Sequence, residues 1–93
     1  METKTKRSFP LGRVVATPNA LETIPPDEVT KAIGRHAACD WDDVGHSDRK
    51  ENELSLREGY RLFSVYQTAS GVKFWVITEA DRSATTVLLP EDY

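Results

Sequence analysis

Residues 60–93, YRLFSVYQTASGVKFWVITEADRSATTVLLPEDY, hold most of the chain's strand-forming hydrophobic mass and decide its fold. β-Branched and aromatic residues suit a pleated, half-buried surface. Here they gather in three runs, Tyr60 to Gln67, Val72 to Thr78 and Thr85 to Leu89. Thr68-Ala69-Ser70-Gly71 is a hairpin-length loop with glycine near its end. Glu79-Ala80-Asp81-Arg82-Ser83 supplies the next turn. The segment therefore reads as a three-strand antiparallel meander. Each run is apolar at both parities, so both sheet faces need cover, and with so few helices available one face is open to closure by a partner chain.

Working back from the meander, Arg13-Val14-Val15-Ala16 is a short strand that could join the sheet. Thr17-Pro18 gives an N-cap followed by proline at the first helical position, where a missing N–H costs nothing. A brief helical turn over residues 19–24 follows, with Leu21 and Ile24 at helical spacing. A second helix starts near Pro26-Asp27-Glu28 and runs to about Ala38, with Val29, Ala32, Ile33, His36 and Ala37 on one stripe. Gly34 within it suggests a close passage by another element. Ser47 or Asp48 caps a third helix that ends near Glu58, with Gly59 as its C-terminal cap. The expected fold is α+β: an antiparallel sheet with a C-terminal three-strand meander and two to three helices packed on one face.

Ninety-three residues make one domain, assigned to residues 9–93, with residues 1–8 a disordered basic N-terminus. The formal net charge of −3 includes Lys4, Lys6 and Arg7, so the folded part is more acidic than the total. That balance argues against direct nucleic-acid binding, which needs lysine and arginine on one face. The single Cys39 excludes an internal disulfide. No apolar run is long enough to cross a bilayer, and the N-terminus has no secretory pattern. A cytoplasmic protein with no membrane association is expected.

The densest cluster of charged groups is the loop Asp40, Trp41, Asp42, Asp43, with His46 and Asp48 beyond it. It lacks the glycine and closing glutamate of a calcium loop, and its carboxylates read better as helix caps. His36, Cys39 and His46 lack the paired cysteines of a zinc site. His36 reads as a packing residue or a partner of the helix dipole. No catalytic residue, metal or cofactor is assigned. In the turn, Glu79, Asp81, Arg82 and Ser83 admit two readings: a contact surface, or a turn in which Asp81 and Ser83 bond local backbone and Arg82 pairs with Glu79. Glu91, Asp92 and Tyr93 form an acidic end able to present charge.

The stretches Phe9-Pro10-Leu11-Gly12-Arg13-Val14-Val15-Ala16-Thr17-Pro18, Asp40-Trp41-x-Asp43 and Trp75-Val76-Ile77-Thr78-Glu79-Ala80-Asp81-Arg82-Ser83, with the closing Thr86-Val87-Leu88-Leu89-Pro90-Glu91-Asp92-Tyr93, resemble a family of short bacterial proteins. These are labelled plasmid-related proteins, of proteobacterial plasmids and integrative elements. The resemblance runs from about Phe9 onward. It implies a mobile-element setting and carries over no site residue. The order of elements is also similar, more loosely, to RelE/ParE-type toxins, although the acidic balance departs from their basic character.

Two function classes follow. The first is a non-catalytic mobile-element protein that binds and inhibits a host protein, such as an anti-CRISPR or anti-restriction inhibitor. Its acids Asp40, Asp42, Asp43, Glu79, Asp81, Glu91 and Asp92 would engage a nucleic-acid-binding defence complex. The second is a RelE/ParE-like toxin or degenerate relative in which Arg82 and Tyr93 contact RNA or a protein. A homodimer is compatible with either.

Overall fold

The structure, a computed structural model, describes residues 9–40 and 46–93. The readings that concern residues 1–8, Trp41, Asp42 and Asp43 lie outside them. The elements in order are β1 (Arg13–Ala16), α1 (Pro18–Thr23), α2 (Pro26–Ala37), α3 (His46–Glu58), β2 (Leu62–Gln67), β3 (Lys73–Thr78), β4 (Ala84–Leu88) and a 3-10 turn (Pro90–Asp92). The fold is α+β, and the meander is present.

The sheet order is β1-β4-β3-β2. β2 pairs antiparallel with β3, and β3 with β4. β1 joins β4 in parallel, with Arg13 opposite Ala84 and Ala16 opposite Val87, so the sheet is mixed where the sequence implied antiparallel pairing throughout. The parallel junction depends on Gly12, whose φ of 66° opens a left-handed turn just before β1. A Cβ there would sit 2.4 Å from the backbone oxygens of Arg82 and Ser83. Only glycine lets the two backbones approach so closely.

Strand alternation sorts the side chains by face. The inner face carries Leu62, Ser64, Tyr66, Phe74, Val76, Thr78, Thr85 and Val87. Tyr66, Phe74, Val76 and Val87 pack with Ala20, Ile24, Ala32 and Leu89 in the main core, so α1 and α2 cover this face. The cap expected of Thr17 forms, its Oγ1 accepting from the Ala20 N–H at 3.1 Å. Ile24 and Ala20 face inward, whereas Leu21 is exposed. Gly34 meets nothing within 4 Å of an added Cβ, so no close passage explains it.

α3 lies beside β2 at the edge of the sheet rather than on the face that α2 covers. Asn52 fixes it there: its side-chain amide donates to the Phe63 carbonyl at 2.6 Å and accepts from the Phe63 N–H at 3.0 Å. The amide thus does for this edge what another strand's backbone would do. Leu56 of α3 packs on a second cluster containing Phe9, Cys39, Leu62 and Val65, with Phe63 and Trp75 against it. Gly59, at φ 84°, ends α3 as the sequence predicts, its N–H returning to the Ser55 carbonyl.

Candidate interaction surface

Polar residues on the inner face form one connected chain. Thr85 Oγ1 donates to the Leu11 carbonyl at 2.8 Å. Its lone pairs then receive the Thr78 hydroxyl at 2.7 Å, and Thr78 in turn accepts from His36 Nε2 at 2.9 Å. That order leaves His36 Nδ1 to accept from the Ser64 hydroxyl at 2.6 Å. A neutral Nε2–H imidazole satisfies every step, because each hydroxyl has one proton to give. His36, Ser64, Thr78 and Thr85 are all 0% exposed. Burial, and then the positive charge of Arg82, push the His36 pKa down to about 4. His36 is therefore a structural link between α2 and the sheet, as a packing reading of it implies. Both ring nitrogens face hydroxyls, and Cys39 is buried. Among the described residues no group of three histidine, cysteine or acidic side chains could hold a metal ion.

The turn between β3 and β4 is equally committed to the fold. Arg82 sits at φ 61°, an uncommon conformation for a residue with a Cβ. Its Nη1 donates to the carbonyls of Tyr60, Glu79 and Ala80 at 2.7, 3.1 and 3.0 Å. Its Nη2 donates to the Ser55 carbonyl at 3.0 Å. The guanidinium also lies 5.7 Å from the centre of the Phe9 ring. Arg82 thus ties the end of α3, the entry to β2 and its own turn together. It bonds the Glu79 main chain, not the Glu79 carboxylate. Asp81 Oδ1 accepts from the Ser83 N–H at 3.0 Å, and its hydrogen bonds to Ser83 hold the carboxyl below its ordinary pKa.

Two further acids serve the fold. Asp40 pairs with Arg35 at 2.7 Å. Asp92 accepts from Thr17 Oγ1 and Asn19 Nδ2, both at 2.7 Å. Those bonds, Thr17 first, hold its carboxyl below its ordinary pKa. They also turn what the sequence offers as an acidic end into an anchored 3-10 turn. By contrast, the carboxylates of Glu79 and Glu91 make no hydrogen bond among the described residues.

The anchored turn delivers Tyr93 onto the outer face of the sheet. Its ring meets Trp75 edge-on, with centroids 5.5 Å apart, and Trp75 meets Phe63 the same way at 5.2 Å. Arg61 lies 5.8 Å from the centre of the Tyr93 ring, and its Nη2 donates to the Tyr93 hydroxyl at 2.9 Å. Glu79 is close enough to favour the Arg61 charge. Tyr93 nevertheless remains 71% exposed, and Tyr60 nearby is 56% exposed. Of the residues singled out in the sequence, the structure brings Tyr93 and Glu79 to this end of the sheet. Arg61, Phe63 and Trp75 were not singled out; the apolar outer parity of β2 and β3 was the signal that pointed to them.

A recess of about 90 Å³ between α2 and the sheet is lined by Glu28, Lys31, Arg35, Tyr66, Gln67 and Phe74. Small-molecule sites are roughly 300–1,000 Å³. Arg35, stacked 5.0 Å over Tyr66 and paired with Asp40, forms part of its wall. No protein-family model, curated protein or solved structure matches the chain. No helix among the described residues is long and apolar enough to cross a membrane.

Proposed function

We propose that the protein is a non-catalytic interaction protein of a mobile element that binds and blocks a host protein, an anti-CRISPR or anti-restriction inhibitor being the natural case. The observation that carries this reading is the cluster on the outer face of the sheet in which exposed Tyr93 and Arg61 rest on half-buried Trp75 and Phe63. Aromatic residues and arginine dominate the energetic centres of protein interfaces. Tyr93 is held in place by Asp92 and Trp75, so little ordering entropy remains to oppose binding. The carboxylates of Glu79 and Glu91 make no hydrogen bond among the described residues, and that of Glu79 lies near Arg61. They would steer it toward a basic surface of the kind that holds nucleic acid. The acids Asp40, Asp81 and Asp92 support the scaffold in this reading and do not reach the target. The toxin alternative asks Arg82 to contact a target, and its guanidinium is spent on four carbonyls.

Affinity capture from host lysate, with the wild type, Tyr93→Ala and the double variant Glu79→Lys/Glu91→Lys in parallel, tests the reading. It expects a nucleic-acid-binding protein on the wild type, reduced at least about tenfold by either variant, a loss of about 1.4 kcal/mol. Capture that is indifferent to both variants contradicts it, as does growth arrest on induction.

A further inference from the structure

The two edges of the sheet differ. On the β2 edge, the Asn52 amide takes up both main-chain groups of Phe63. On the other side, Arg13 and Thr17 donate inward to Ser83 and Val87, each at 3.0 Å. In a parallel pair, a residue that turns its N–H toward the neighbour alternates with one that turns it away. The N–H and C=O of Val14 and Ala16 therefore point out of the sheet, and among the described residues no strand pairs with them. Val14 and Val15 are 43% and 40% exposed. None of the usual blocks on an edge (lysine, proline, a bulge) interrupts the strand.

We propose that β1 pairs antiparallel with β1 of a second copy of this chain across a two-fold axis at Val15. Register selects that axis. With Val15 opposite Val15 of the second copy, Val14 and Ala16 of each copy exchange both main-chain hydrogen bonds with Ala16 and Val14 of the other. Four bonds then form, and every outward group of the strand is used. An axis at Val14 would bring Gly12 into the ladder, and its φ of 66° is not strand geometry. An axis at Ala16 would run the partner strand into Pro18 and α1. At Val15, Arg13 falls opposite Thr17 of the second copy, so no like charges face each other. An edge that pairs with itself across a two-fold axis is used up by that pairing, so this contact closes at two copies. The contact is small compared with a standard interface of about 1,600 Å², so the dimer is weak and concentration-dependent.

Sedimentation equilibrium from about 10 μM to 1 mM reads this association directly. The wild type is expected to dimerise within that range. Val14→Pro removes an N–H that the monomer does not use, and Val15→Lys places two cations face to face. Each is expected to raise the dissociation constant about tenfold or more, with circular dichroism unchanged. Should Val14→Pro disturb the fold, Val15→Lys alone decides. Oxidation fixes the register: Val15→Cys is expected to cross-link, its Cα atoms lying about 4.5 Å apart in a non-hydrogen-bonded pair, whereas Val14→Cys is not. A wild type monomeric at 1 mM, dimerisation unaffected by Val15→Lys, or cross-linking through Val14→Cys instead would each overturn the proposal.

Discussion

Arg82 and Arg61 work within a few residues of each other, since Arg82 reaches the carbonyl of Tyr60, the residue just before Arg61. Arg82 gives its protons to four main-chain carbonyls drawn from α3, the entry to β2 and its own turn. Arg61 gives one to an exposed phenol and leans on its ring. The planar fork of a guanidinium suits either use, so residue type alone does not distinguish a fastener from a contact group. What distinguishes them is what each would leave behind. Removing Arg82 releases four carbonyls that it gathers from three segments, that of Ser55 partly buried, whereas removing Arg61 releases a single exposed phenol.

The sharpest way to break the comparison is Arg82→Ala. Hydrogen bonds to charged groups contribute about 1.5–3 kcal/mol each, and less together than their sum. Three of the four bonds are exposed and one is part-buried, so the variant is expected to lose about 2 kcal/mol in urea unfolding. Acid sharpens the same contrast through His36. Its pKa is about 4 folded against an ordinary 6.5, so the unfolded chain takes up a proton that the folded chain refuses. The His36 contribution is complete above pH 6.5, falls away as pH drops toward 4, and is worth about 3 kcal/mol across that window. Below it, Asp81 and Asp92, whose folded pKa values are lowered, add their own losses. Stability measured from pH 7 to 4 should show the one-proton slope in the wild type. His36→Gln should flatten it. Arg82→Ala should narrow the window, because the Arg82 charge helps keep His36 neutral. The smallest effect belongs to Arg61→Ala, expected to change stability by no more than about 0.5 kcal/mol, as exposed pairs do.

Much of the fold could be read from local chemistry. The meander follows from the β-branched and aromatic runs, the start of α1 from Thr17-Pro18, and the end of α3 from Gly59. The parallel partnership of β1 with β4 could not be read that way, because it rests on a close approach between Gly12 and the Arg82–Ser83 backbone, about 70 residues apart in sequence. The buried link through His36, Ser64, Thr78 and Thr85 was hidden for a similar reason. Each hydroxyl alone looks like an ordinary strand residue, and only the pairing register lines them up behind α2. The candidate site was legible in part. Tyr93 and Glu79 stood out as exposed groups near strand ends. Asp92, chosen for its charge, instead anchors the turn that aims Tyr93. Arg82, chosen with it, finds its acceptors 22 and 27 residues away at Tyr60 and Ser55, a distance that no local pattern reveals.

The most direct test of the division between scaffold and contact surface is to measure stability and partner capture together for Arg61→Ala/Tyr93→Ala and for Arg82→Ala. The account predicts that the first variant unfolds within about 1 kcal/mol of the wild type yet loses its captured partner. It predicts that Arg82→Ala is destabilised by about 2 kcal/mol but, at temperatures where it remains folded, still captures that partner. A double variant at Arg61 and Tyr93 that keeps full capture, or an Arg82→Ala protein that is stable but no longer binds, would contradict it.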